Sequence, residues 1–346
     1  MGDVVVKGIN ELPLNKVQKA AIELMQCDLK FLNTIVTHKE YVTPNYYVAL
    51  MPYMGLIIDG VEDWIKSYNN SSKIKLQAPI FTESQQAYYE EMRKSIKFYE
   101  QGAEHFNGLL EKKYKESDKY FSSVCNPIAK HLKLYDIYGV FSCNQIPCDN
   151  TILDQCFSPY FQFGYPDGER IKNMASVAGK YIAIFDAKGS YSIENFKFSS
   201  KDYGGFSKSP LGHSYNVKFM LFSIVCQINF VTKAVNELVK EEIPTKLRFA
   251  YLLYYYICDM ISSLNDMCRT LLKIDRRYYS EQFRNAMAHY KLGVALKEGE
   301  LVSSCFFGLT EKFFDMSYGE LKNGIIKELI VLGEQIEAII KFQDIC

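Results

Sequence analysis

Ser280-Glu281-Gln282-Phe283-Arg284-Asn285-Ala286-Met287-Ala288-His289-Tyr290 is the segment from which the rest of the chain is most easily placed. Ser280 carries a hydroxyl that can accept a hydrogen bond from a backbone N–H of the next turn, the signature of a helix start. The spacing predicts a helix over residues 280–297. Three further helical patterns flank it. One covers 215–241 and stops before Pro244, and a second covers 245–272. The last covers 317–342, where Ser317 is followed three residues later by Glu320, a capping-box pattern. Long helices joined by short connections predict an antiparallel four-helix bundle.

Working back toward the start, residues 14–42 show a 3.6-residue apolar stripe through Val17, Ala21, Leu24, Leu32 and Ile35. A second apolar segment covers 46–64, with Pro52 expected to bend or interrupt it. Asn69-Asn70-Ser71-Ser72 reads as a polar loop, and a charged amphipathic helix is expected over 83–120. Residues 135–215 are richer in Gly, Pro, Ser and aromatics. There Tyr181-Ile182-Ala183-Ile184-Phe185, a turn at Asp186 to Gly189, and a run ending at Phe198 predict a β-hairpin near 181–198. Gly204-Gly205 and Ser209-Pro210 mark 201–213 as a linker. The expected class is therefore mainly α: a mostly helical region over 1–205 with a small hairpin, then a helical bundle over 206–346.

The 346 residues carry 40 basic and 40 acidic side chains, a formal net charge of zero. A protein that coats nucleic acid needs a basic surface, so that class is excluded and charge has to be read locally. From Arg269 to Lys297 the chain carries a net of five positive charges. Arg276, Arg277, Lys291 and the rings of Tyr278, Tyr279 and Tyr290 lie in this segment as candidates to hold phosphates and stack on bases. Ten scattered cysteines with no leader-like start predict free thiols and a reducing cytoplasm. Cys143, Cys148 and Cys156 with His131 lack the tight spacing of structural zinc sites, and no metal is expected. No apolar run is long enough to span a bilayer.

The chemistry concentrates in Arg284, Asn285 and His289. With seven arginines and five histidines in the chain, an Arg five residues before a His is expected by chance about 0.1 times. Requiring Asn directly after the Arg lowers this to under ~0.01, so the grouping is treated as a motif. Asn285 and His289, four residues apart, share a helix face. Ala286 and Ala288 are small enough to let another helix, or a second copy of this one, approach closely. A histidine can move a proton near neutral pH, and an arginine can hold a phosphate and the charge that builds on it. RNA brings its own nucleophile, the 2′-hydroxyl, so the pair needs no metal.

Phe283-Arg284-Asn285-Ala286-Met287-Ala288-His289 resembles the Arg-x4-6-His motif of the HEPN superfamily, in its form with Asn after Arg. The resemblance covers roughly residues 210–346. It implies a four-helix bundle and a metal-independent, cofactor-free endoribonuclease that leaves a 2′,3′-cyclic phosphate, acting as a toxin or antiviral defence effector. Arg284 and His289 would be catalytic, with Asn285 orienting the histidine or bonding a phosphate oxygen. Such sites pair two motifs across one cleft, and one motif per chain implies a homodimer. RNA is the implied substrate, and residues 1–205 are expected to sense a signal or restrain the nuclease. The alternative is a non-catalytic HEPN module that binds RNA, a nucleotide or a protein partner. In some HEPN toxins the motif continues as His-x-Tyr, the Tyr being a target of a paired antitoxin. Here Lys291 takes that position, which puts regulation of that type in doubt and leaves the regulatory ligand or antitoxin unidentified.

Overall fold

The computed structural model describes residues 6–37, 44–87, 89, 138–143, 146–148, 168–193, 198–204, 215–340 and 343–345. They are mainly helical. Helix α1, Lys16–Thr37, starts on a reciprocal cap: Gln18 N–H donates to Asn15 Oδ1 at 2.8 Å and Asn15 N–H donates to Gln18 Oε1 at 3.0 Å. Its apolar stripe is buried throughout. Helix α2, Pro44–Ser71, continues through Pro52, where an interruption is expected from the sequence. Its Met54, Ile57, Ile58, Val61 and Ile65 form one buried face at helical spacing. Most of the helix expected over 83–120 lies outside the described residues.

The hairpin expected near 181–198 is not formed. Residues through Ile184 belong to helix α3, Gly168–Ile184, and the stripe Val177, Ala178, Tyr181, Ile182, Phe185 is buried at helical spacing. Read from Tyr181 onward, the same residues mimic a short β-run, because the upstream half of the stripe is needed to see the longer period. The expected turn is the helix stop: Asp186 takes a left-handed φ of 53° and Ala187 N–H donates to Ile182 O at 2.9 Å. The strands lie elsewhere. Strands β1, Val6–Lys7, and β2, Lys75–Leu76, pair in parallel. Strands β3, Tyr138–Cys143, β4, Ile146–Pro147, β5, Phe198–Gly204, and β6, Gln343–Ile345, form an antiparallel sheet in the order β4-β3-β5-β6. The start of the expected linker is therefore strand, and 205–214 lie outside the described residues.

Helix α4, Tyr215–Asn229, passes through a π turn, Phe230–Ala234, and ends with Val235–Leu238. Helix α5, Pro244–Cys268, has proline in its first turn, where the missing N–H has no partner to lose. Helix α6, Glu281–His289, carries the motif, and helix α7, Tyr318–Ile340, precedes strand β6. The cap expected for α7 is formed: Ser317 N–H donates to Glu320 Oε2 at 2.9 Å and Glu320 N–H donates to Ser317 Oγ at 3.3 Å. Helix α6 stops eight residues before the end expected for it. Tyr290 adopts a left-handed φ of 51° and the short helix Leu292–Ala295 follows.

Helices on both sides of the expected 205/206 boundary share a single buried cluster. Phe31 of α1 meets the edge of Phe249 of α5 at 5.6 Å, and Tyr53 of α2 packs on the same ring at 4.4 Å. The Tyr53 hydroxyl donates to Gln227 of α4 at 3.0 Å. The boundary therefore does not separate α1 and α2 from the C-terminal helices.

Candidate functional site

Helix α6 is only nine residues long, too short to hold itself, and helix α5 grips both of its ends. At the start, Ser280 Oγ accepts from Phe283 N–H at 3.2 Å, as its position predicts. The Tyr251 hydroxyl accepts from Ser280 N–H at 3.1 Å, and its ring meets the edge of Phe283 at 4.5 Å. At the other end, Arg248 donates from Nε to Met287 O at 2.7 Å and from a terminal nitrogen to Ala288 O at 3.1 Å. Those carbonyls have no partner within the helix, and a cation suits the negative end of the helix dipole.

Arg248 is itself part of a buried network. It donates to Asp28 Oδ2 at 2.7 Å, and both side chains are 2% exposed. The Thr245 hydroxyl donates to Asp28 Oδ1 at 2.6 Å, the Tyr290 hydroxyl donates to Oδ2 at 2.7 Å, and the guanidinium lies 4.3 Å from the centre of the Tyr290 ring. Complete satisfaction is what makes a buried pair tolerable. Tyr290 is 2% exposed, so the stacking face expected for RNA is turned into the core. Burial pushes its phenol well above the usual range.

Helix α2 crosses the end of α6 at Gly60. A Cβ there would come within 2.3 Å of Ala288 O and 2.9 Å of the Tyr290 ring. The close approach anticipated at Ala288 is thus made by a helix of the same chain. It brings two carboxylates to the site, Asp59 and Asp63, one turn apart on α2. His289 Nδ1 lies 3.0 Å from Asp63 Oδ2, an ion-pair distance without the alignment of a hydrogen bond, and Lys291 Nζ lies 3.9 Å from the same oxygen. Burial holds the His289 imidazole below its usual range. Asp63 and Asp59 pull it up, while Lys291 and Arg284 push it down. A neutral ring near pH 7 is the state a general base requires.

Arg284 is half-buried, with its guanidinium 5.2 Å from the centre of the Tyr255 ring and 6.0 Å from that of Tyr256. Asn285 is half-buried beside it. Tyr255 is held in turn, stacked on Tyr279 at 4.4 Å. The residues nominated from local charge are engaged elsewhere. Arg276 donates to Cys258 O at 2.6 Å and reaches Asp259 at 3.4 Å, while Arg277 pairs with Asp275 at 2.5 Å. Lys291 is 40% exposed and lines a groove of about 390 Å³ with Asn15, Trp64 and Tyr68. Asp59, Asp63, Asp28 and Arg248 were not singled out from the sequence. The first two had a signal: acidic residues at i and i+4 around Gly60, on a helix that carries a long apolar face.

Among the described residues, Asp59, Asp63 and His289 bring one ligand-type atom each to within 4.8 Å of one another. Lys291 and Arg284 already supply positive charge to this group, and it reads as an ion-pair network. No described helix is long and apolar enough to cross a membrane. No family model, curated protein or solved structure matches the chain.

Proposed function

We propose that the chain is a HEPN-type, metal-independent endoribonuclease whose catalytic residues are Arg284 and His289. The observation that carries this reading is the placement of His289. Its ring is half-buried at the end of the motif helix, held below its usual pKa range by burial, with an acid on one side and the charge of Arg284 acting on it. A chemically idle histidine does not need that combination. In the proposed reaction His289 takes the proton of the 2′-hydroxyl, O2′ bonds to phosphorus, and the P–O5′ bond breaks. The departing 5′ oxygen takes a proton from a protonated imidazole of a second copy. Arg284 lies against the phosphate and stabilises the extra negative charge of the five-coordinate state. The four C-terminal helices form the bundle, one motif per chain makes the active species a homodimer, and the groove beside Lys291 gives a flanking nucleotide room. Toxicity or defence is the setting such an activity fits.

The test is incubation of the purified chain with total RNA in EDTA, followed by mapping of the cut ends. Cuts ending in 2′,3′-cyclic phosphate and 5′-hydroxyl, blocked by 2′-O-methyl sugars, are expected. Activity that vanishes with chelator and returns with magnesium overturns the proposal.

A second reading has its own observation. Arg284 rests on tyrosine rings and His289 on Asp63, so both motif side chains have partners inside the chain. A module that binds RNA or a nucleotide without cutting would show affinity, lost in Arg284→Ala, and no cleavage under any condition.

A further inference from the structure

We infer that Asp63 is the positioning residue of this site: its carboxylate holds the His289 ring through Nδ1 and leaves Nε2 to meet a substrate. The inference rests on the proposed role of His289 as the base, and it adds a residue from a helix outside the four C-terminal ones.

Three observations carry it. The His289 side chain keeps 24% of its surface exposed, yet its Nδ1 atom is buried and sits 3.0 Å from Asp63 Oδ2. Of the two ring nitrogens Nδ1 is the buried one, which leaves Nε2 as the one that can meet a substrate. Asp63 is carried on a rigid support. Val61 and Ile65 on either side of it are at most 1% exposed, and Gly60 lies against the Ala288 carbonyl without room for a Cβ. Helix α2 and the end of α6 therefore move as a unit, and a site built on packed helices is held more closely than one on loops. The charges facing the ring are also arranged to suit it: Asp59 and Asp63 from α2, Arg284 from α6 and Lys291 from the segment after it. The two acids oppose the burial that would otherwise make the imidazole too weak a base.

The chemistry follows from the two ring nitrogens. A neutral imidazole has one N–H and one lone pair. A carboxylate at Nδ1 favours the tautomer with the proton there, which places the lone pair on Nε2, where a base needs it. The 3.0 Å contact is not aligned as a hydrogen bond in the free protein. Such contacts tighten when substrate fills the site.

The test reads the ring directly. Nitrogen NMR of His289 in the wild-type chain, without RNA, should show the proton on Nδ1 and the lone pair on Nε2. A proton on Nε2 overturns the inference, whatever any variant does. In Asp63→Asn the ring should titrate at lower pH, because the acid that raised it is gone. The acid limb of the cleavage profile should move the same way. The maximal rate should fall about 10- to 100-fold with KM changed less than about threefold, the scale of a misplaced group that does not itself bind substrate. Asp63→Glu should recover part of the rate. An unchanged titration and unchanged rate in Asp63→Asn overturns the inference while leaving the nuclease intact. Absence of cleavage with the Nδ1-protonated tautomer present overturns the nuclease reading alone. A stoichiometric shift of the His289 signals on adding zinc or manganese, lost in Asp63→Asn, would make the group a metal site and overturn the positioning role.

Discussion

His289 and Tyr290 are adjacent in the chain, each ring set against an aspartate from an N-terminal helix, and they have opposite fates. Tyr290 on Asp28 is 2% exposed, with Arg248 and Thr245 completing the carboxylate. His289 on Asp63 keeps 24% of its side chain exposed, shares that carboxylate with Lys291, whose Nζ lies 3.9 Å from Oδ2, and has an edge left over. The left-handed turn at Tyr290 separates the two, since it sends one ring inward and leaves the other at the rim. A fully buried ionic group has to be fully satisfied and then serves as a lock. A half-buried one can remain incomplete and so remain available to a ligand.

The comparison breaks most visibly at the lock. Arg248→Met strands the Asp28 charge and uncaps two α6 carbonyls, and it should cost about 3–5 kcal/mol in denaturant unfolding. A loss below ~1 kcal/mol would mean that the network carries no such weight. His289→Ala should do the reverse. Cleavage should fall by about 100-fold or more, close to 2.7 kcal/mol of barrier, while the unfolding midpoint stays near that of the wild type. Gly60→Ala tests the joint between the two regions. Its Cβ would meet Ala288 O at 2.3 Å, so α2 has to shift, at about 1–3 kcal/mol of stability. Cleavage should fall with it, because Asp63 moves away from His289.

The smallest effect is one of pH. The folded His289 titrates below its ordinary value, so the unfolded chain binds its proton first as pH falls. Its contribution to stability is complete above about 6.5 and is lost as pH drops through the lower folded value. His289→Gln should flatten that part of the stability profile, measured as denaturation midpoints between neutral and mildly acid pH. A wild-type profile already flat there would show that the ring is not held neutral.

Several elements could be read directly from residues close together in the chain. The Ser280 cap, the Ser317–Glu320 box and the 3.6-residue stripe of α1 all operate within a turn or two. The position of Arg284, Asn285 and His289 on one helix was legible for the same reason, but its early stop at the left-handed Tyr290 was not. The misreading at Tyr181 to Phe185 came from a window too short to separate two periods.

What only the tertiary structure decided is who stands beside that helix. Asp28 meets Arg248 across 220 residues of chain and Tyr290 across 262. Asp63 reaches His289 because α2 can lie against Ala288 at a glycine. Local propensity and periodicity choose helices and their ends, since those depend on neighbours a few residues away. The partners of a buried charge are chosen by packing, which brings together whichever distant side chains can remove one another from water at the least cost.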